Sequence, residues 1–430
     1  MSSDTGATRR VDGEHPRTEM IVDPRFLPVA DRFFKMFRDT RQGGGALAAY
    51  LHGEPVLDIW AGWASRDKRW THDTVALSFS TGKGVASTVL HRLAERGLVD
   101  YDEPVATYWP EFGAAGKESI TVRELMSHRA GLHRARGLVP GRFGLLDSDA
   151  VAAALAAAAP DPRRLAGPGY HAVTYGNLVA EIAIRVTGLS FTELIEQEIA
   201  GPLGLREFWF HVPQEERHRI ARVFPRLNPT PAPWAVTGTV LSRLPGLRGV
   251  AEAGMAEGFD ELARSPAAHD AVMPGWNGVF TARALARMYG ALANAGELGG
   301  ARLLKEETLE QVLEVQTRRR DYVLGIRPNW RLGYHPGWVA CASSRCSRSA
   351  TSASAAPARS PIRKPACRSP SSPTASVASP PSRTCGSRAL APRVSSSPGR
   401  RPDGGLPDGR CRGAAPRADP GPVSGARGAR

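Results

Sequence analysis

The chain has 430 residues, 42% of them hydrophobic, enough to build one large domain or two intergrown subdomains without metal or disulfide staples. No apolar stretch reaches the ~20 residues that a membrane helix needs, and Met1–Met20 carries Arg9, Arg10, Glu14 and Arg17 where an export signal would be apolar, so a cytoplasmic protein without a membrane partner is expected. The net charge of +14 would suggest an anionic partner, but residues 341–430 hold 15 Arg and one Lys against three Asp, which leaves residues 1–340 nearly neutral.

Residues 1–22 have the polar composition of a disordered tail. From Asp23 the pattern turns helical, with Asp23 as N-cap, Pro24 in the first turn, and Phe26, Val29, Ala30, Phe33 and Phe37 at spacings of three and four, ending near Thr40. Gly43-Gly44-Gly45 breaks the helix. Apolar runs over Ala46–Leu51 and Val56–Trp60, joined through His52-Gly53-Glu54-Pro55, predict a β-hairpin. A helix laid across a sheet is the expected first layer.

An apolar run then ends at Ser80, where a helical face of Val85, Ala86, Val89, Leu90, Leu93 and Ala94 begins and Gly97 closes it. Further helices are predicted over Val122–Met126, Ser148–Ala158, Asn177–Val186, Phe191–Ile199 and Ala282–Ala295. Six prolines between Pro213 and Pro245 predict loops and short strands over residues 205–275.

Two segments carry chemistry. In Ser80-Thr81-Gly82-Lys83 the hydroxyl and the amine lie three residues apart on one helix face, so the amine can help take the hydroxyl proton while the helix N-terminus favours an oxyanion. A capping serine beside a solvated lysine is the commoner meaning of that spacing alone. The second segment runs from Pro168-Gly169-Tyr170 to Tyr175-Gly176-Asn177 and leads into an apolar helix. A phenol beside an ammonium can act as a general base, and an amide can hold a carbonyl substrate. Trp276 and Phe280 fit pocket lining or core packing equally, and His128 reads as a structural hydrogen-bonder. Ser78 stands where a Gly-x-Ser-x-Gly elbow would place glycine, and no His or Cys spacing suits zinc, so no metal or other cofactor is expected.

Taken together, Ser80-Thr81-Gly82-Lys83, Leu125-Met126-Ser127-His128-Arg129-Ala130-Gly131-Leu132, Pro168-Gly169-Tyr170 and Tyr175-Gly176-Asn177 resemble the serine β-lactamase and penicillin-binding protein superfamily in order and spacing. The class C-like branch that includes the family VIII carboxylesterases is the nearest match, over roughly residues 23–336. The resemblance implies an α/β (α+β) fold, a mostly antiparallel sheet flanked by helices with an inserted helical subdomain at roughly 100–285. It implies that Ser80 is the acylated nucleophile, Lys83 its amine partner, Tyr175 the base and Asn177 a substrate-positioning residue. The expected activity is hydrolysis of a small-molecule ester. The alternatives are a β-lactamase or D-alanyl-D-alanine carboxypeptidase-like amide hydrolase, and a catalytically dead binding protein.

The family's third motif, a Lys/His-x-Gly strand with a second oxyanion donor, is absent after residue 336. Residues 337–430 are instead a low-complexity Arg/Ser/Pro/Ala tail that holds all five cysteines, with no aromatic residue from 341 onward to stack on nucleic acid, so no nucleic-acid partner is expected. A displaced reading frame accounts for this composition. If each codon takes the last base of one present codon and the first two of the next, serine (TCN) and cysteine codons give middle-T codons, which encode only apolar residues. Residues 349–358 then permit Phe-Gly-His-Phe-Gly-Phe-Gly-Gly-Ser-Gly, which contains a His-x-Gly. A one-base frameshift between Tyr334 and Ser349 is therefore expected, leaving the C-terminal strands missing and the tail disordered.

Overall fold

The computed structural model describes residues 9–12, 19–38, 43–141, 143–223, 243, 247–254, 256, 258–336 and 374–375, all within one unit, Met1–Pro380. The expectation of a disordered tail at 341–430 lies outside the described residues except at 374–375.

Asp23 caps as expected, its carboxylate accepting from the Arg25 N–H at 2.9 Å, and a 3₁₀ turn at Pro24–Phe26 runs into α1, Leu27–Phe37. The hairpin is present as β3, Gly44–Leu51, and β4, Glu54–Gly62. Its turn places His52 at φ 53° and Gly53 at φ 84°, the left-handed pair that a tight two-residue hairpin needs. Alternation along the strands sends Leu47, Ala49, Leu57 and Ile59 into a core that Ala30 of α1 completes.

The sequence expectation that residues 1–22 are disordered is corrected at its end. Glu19–Val22 forms β2, antiparallel to β4, and Arg9–Asp12 forms β1, antiparallel to β2. The reason is period-two burial: Met20 and Val22 enter the same core as the hairpin, a contribution that the polar average of the first twenty residues hides. On the other side of the sheet Thr374–Ala375 pairs with β3, so the tail supplies one short ladder where no strand was expected.

The helical part surrounds α2, Gly82–Glu95, which is buried at every position from Gly82 to Leu90. Such a helix needs apolar partners all round. It packs against Tyr175–Thr187, named α5 after Val122–Met126 (α3) and Ser148–Ala157 (α4). A capping box at Thr121 and Glu124 starts α3. The predicted Phe191–Ile199 helix is an α-turn at Phe191–Ile195 followed by a π-helical stretch at Glu196–Ala200. Ala282–Ala293, here α6, packs on β3 with Gly290 against Tyr50. Among the described residues no helix is long and apolar enough to cross a membrane.

Candidate active site

The strand that delivers Ser80 is short. Ala76–Leu77 pairs with Val279–Phe280, and both the N–H and the hydroxyl of Ser78 donate to the Gly278 carbonyl, at 2.8 and 2.9 Å. A 3₁₀ turn over Phe79–Thr81 then enters α2. Phe79 takes φ 49° and is 40% exposed. A bulky side chain in the left-handed region costs about 1 kcal/mol or more, a strain usually held where function fixes the backbone. Here it turns the chain so that Ser80 stands at the helix entrance.

One turn later Lys83 is 4% exposed, with its Nζ 3.0 Å from Ser80 Oγ, 2.5 Å from the Ala172 carbonyl and 2.7 Å from the Gly275 carbonyl. No carboxylate stands among these partners, and burial pulls the amine down to about 7. A neutral amine has two N–H groups and one lone pair. The two carbonyls take the N–H groups, which leaves the lone pair for the Ser80 hydroxyl. Gly275 reaches this position because it meets Gly176, at the start of α5, backbone to backbone; a Cβ on Gly176 would collide with Gly275 N, and one on Gly275 with Val173 O.

The phenol at Ser80 is Tyr170. Its hydroxyl donates to Ser80 Oγ at 3.2 Å, and Lys83 Nζ lies 5.4 Å from its ring centroid. Tyr175, the base expected from sequence, is elsewhere: it is 0% exposed, shares a 2.8 Å hydrogen bond with Ser87 Oγ and donates to the Met126 carbonyl at 3.5 Å. The expectation that Tyr175 stands at the Ser80 hydroxyl is corrected: Tyr170 holds that position. The physical reason is that Tyr175 opens a helix whose near face packs on α2, whereas Tyr170 directly follows the Pro168-Gly169 turn and projects at the helix entrance. Asn177 likewise does not meet Ser80; its Nδ2 donates to Met273 Sδ at 3.3 Å inside the core. Of the four expected site residues the fold brings together Ser80 and Lys83, and it adds Tyr170 and two backbone carbonyls.

His128 is the structural hydrogen-bonder expected. It sits at φ 60° and accepts the His171 N–H on Nδ1 at 3.2 Å, while His171 Nε2 accepts the Leu132 N–H at 2.9 Å. Burial holds His128 well below the usual range and His171 at about 3, so both are neutral rings that pin the turn. Trp276 and Phe280 are 1% and 2% exposed, which decides for core packing. Among the described residues no group of His, Cys, Asp or Glu side chains is arranged to hold a metal ion.

A profile of the Beta-lactamase family matches residues 30–341, ending where the composition changes. The chain belongs to the β-lactamase family. It is 41% identical, over 78% of its length and 80% of the relative's, to the esterase/β-lactamase LipL of Mycobacterium tuberculosis. Among solved structures, a family VIII carboxylesterase superposes with TM-score 0.65 at 34% identity, covering 74% of this chain and 83% of that one. A penicillin-binding protein homologue from Caulobacter crescentus gives TM-score 0.62 at 32% identity over 73% and 82%. The mixed architecture of antiparallel sheets and many helices is therefore the β-lactamase fold, and the chain is a serine hydrolase by family.

Proposed function

We propose that this β-lactamase-family protein hydrolyses small-molecule esters through an acyl-enzyme on Ser80. The observation that carries the reading is the Ser80–Lys83–Tyr170 constellation, in which a desolvated amine with no carboxylate partner among the described residues and a phenol meet one hydroxyl oxygen. Lys83 takes the Ser80 proton as Oγ attacks the carbonyl carbon, and the Ser80 N–H faces the developing oxyanion. Tyr170 then protonates the leaving alkoxide and recovers its proton from Lys83. Water repeats the sequence on the acyl ester and frees Ser80. The names of the LipL relative and the carboxylesterase neighbour support an ester substrate.

Treatment with a fluorophosphonate probe is expected to add one probe mass to the intact chain, and Ser80→Ala to abolish the addition; labelling that survives in Ser80→Ala would refute the assignment. The LipL name also carries a β-lactamase reading, so nitrocefin is assayed beside short-chain p-nitrophenyl esters, with faster ester turnover expected.

The frameshift belongs to the same proposal, supported by the composition change and by a family match that stops at residue 341. A chain with the frame repaired between Tyr334 and Ser349 regains a His-x-Gly and its oxyanion donor, and is expected to turn over esters about 10²-fold faster than the chain as written. An uninterrupted genomic frame encoding the present tail would overturn this part.

A further inference from the structure

Asp321 does not touch Ser80, and nothing in the sequence reading singled it out. It is 0% exposed, and its carboxylate collects four neutral donors. Oδ1 accepts the N–H groups of Val323 at 2.8 Å, Leu324 at 2.9 Å and Tyr170 at 3.2 Å, and Oδ2 accepts the indole N–H of Trp330 at 2.9 Å. The first two bonds only close a local turn. The other two join the backbone of Tyr170 to the ring beside it, because the Trp330 indole is stacked on the Tyr170 phenol with 8° between planes and 5.5 Å between centroids.

The neighbours repeat the pattern. Tyr322 N–H donates to the Pro168 carbonyl at 2.9 Å, and its ring fills the space where a side chain on Gly169 would stand. His128 meets the edge of the Tyr170 ring at 5.1 Å and the Trp330 ring at 4.3 Å. The turn carrying Tyr170 is thus set against residues 321–330, with one carboxylate fixing both the main chain and the face of the phenol.

The structure assigns Asp321 and Trp330 as positioning residues for Tyr170, which hold its hydroxyl at Ser80 Oγ. This rests on the acyl-enzyme reading above. Burial pushes the Tyr170 phenol above its ordinary range and the nearby Asp321 carboxylate adds to this, which disfavours a tyrosinate, so Tyr170 enters the reaction as a proton donor.

The test is a double-mutant cycle on the full chain, read as kcat/KM for a short-chain alkyl ester, whose leaving alkoxide needs the Tyr170 proton, with Ser80 labelling by a fluorophosphonate probe measured beside it. Asp321→Asn keeps an acceptor for the backbone N–H groups and loses one for Trp330; it is expected to lower kcat/KM about 10-fold in the wild-type background and less than about 2-fold in a Tyr170→Phe background, since residues acting through one group are not additive. Its alkaline limb is expected to move to lower pH, a change that a purely structural role does not produce. Trp330→Phe, which keeps a ring and removes the N–H, is expected to give the same non-additivity at about 3-fold and covers the case in which Asp321→Asn fails to fold. Equal losses in both backgrounds, or no loss, overturn the inference. A wild-type chain that does not label at Ser80 overturns the acyl-enzyme reading and the inference with it.

Discussion

Two segments meet at Ser80 Oγ, and they are held by different means. Lys83 is delivered by one turn of α2, so its distance to Ser80 follows from helix geometry and from a burial shared by the whole helix. Tyr170 is delivered by an irregular turn whose place depends on Asp321, Trp330, His128 and Tyr322, which come from sequence positions 40 to 160 residues away. The first arrangement tolerates change elsewhere in the molecule. The second is only as good as its distant supports.

Substitutions separate the two. Ser80→Ala removes the proposed nucleophile, at which both segments meet, and is expected to lower ester hydrolysis by about 10⁴-fold or more, measured as kcat/KM. Lys83→Met removes the proposed base while keeping the packing, and about 10³-fold is expected. In the unsubstituted chain the same group gives a pH signature: the amine must be neutral to accept the Ser80 proton, so kcat/KM should rise with pH and level off above the Lys83 value of about 7. A rate independent of pH between 6 and 8 would show that Lys83 is not that base.

Tyr170→Phe is expected to cost about 10²-fold in kcat/KM. Tyr175→Phe supplies the contrast. It loses the Ser87 hydrogen bond and about 1 kcal/mol of stability in a denaturant titration, with acylation changed less than about 3-fold. The reverse order of these two phenols would restore the assignment read from sequence. Asn177→Ala should be the mildest for catalysis, since its amide contacts a core methionine rather than the nucleophile.

Much of the scaffold was legible because its signals are periodic. The Asp23 cap, the hairpin at residues 44–62 and the helices at 122–126, 148–157 and 282–293 follow from spacings that a strand or helix repeats. β2 escaped notice because four residues of alternation at Glu19–Val22 are too few to stand out from a polar surround. At the site, Pro168-Gly169-Tyr170 was visible as a motif, but a turn has no period, and two tyrosines five residues apart cannot be ranked without knowing which side of the turn faces Ser80. Asp321 and Trp330 carried no local signal at all.

Ser80 and Lys83 needed no fold to be recognised, because a hydroxyl and an amine one helical turn apart are neighbours wherever that helix lies. The order of the motifs placed the chain in its family for the same reason: short segments of regular structure keep their meaning outside their context. Choosing the phenol, stripping Lys83 of water and leaving it two carbonyls in place of a counter-ion took the folded chain. Those properties arise from contacts among α2, the 168–172 turn, Gly275 and residues 321–330, and contacts between distant segments exist only after the backbone has closed around them.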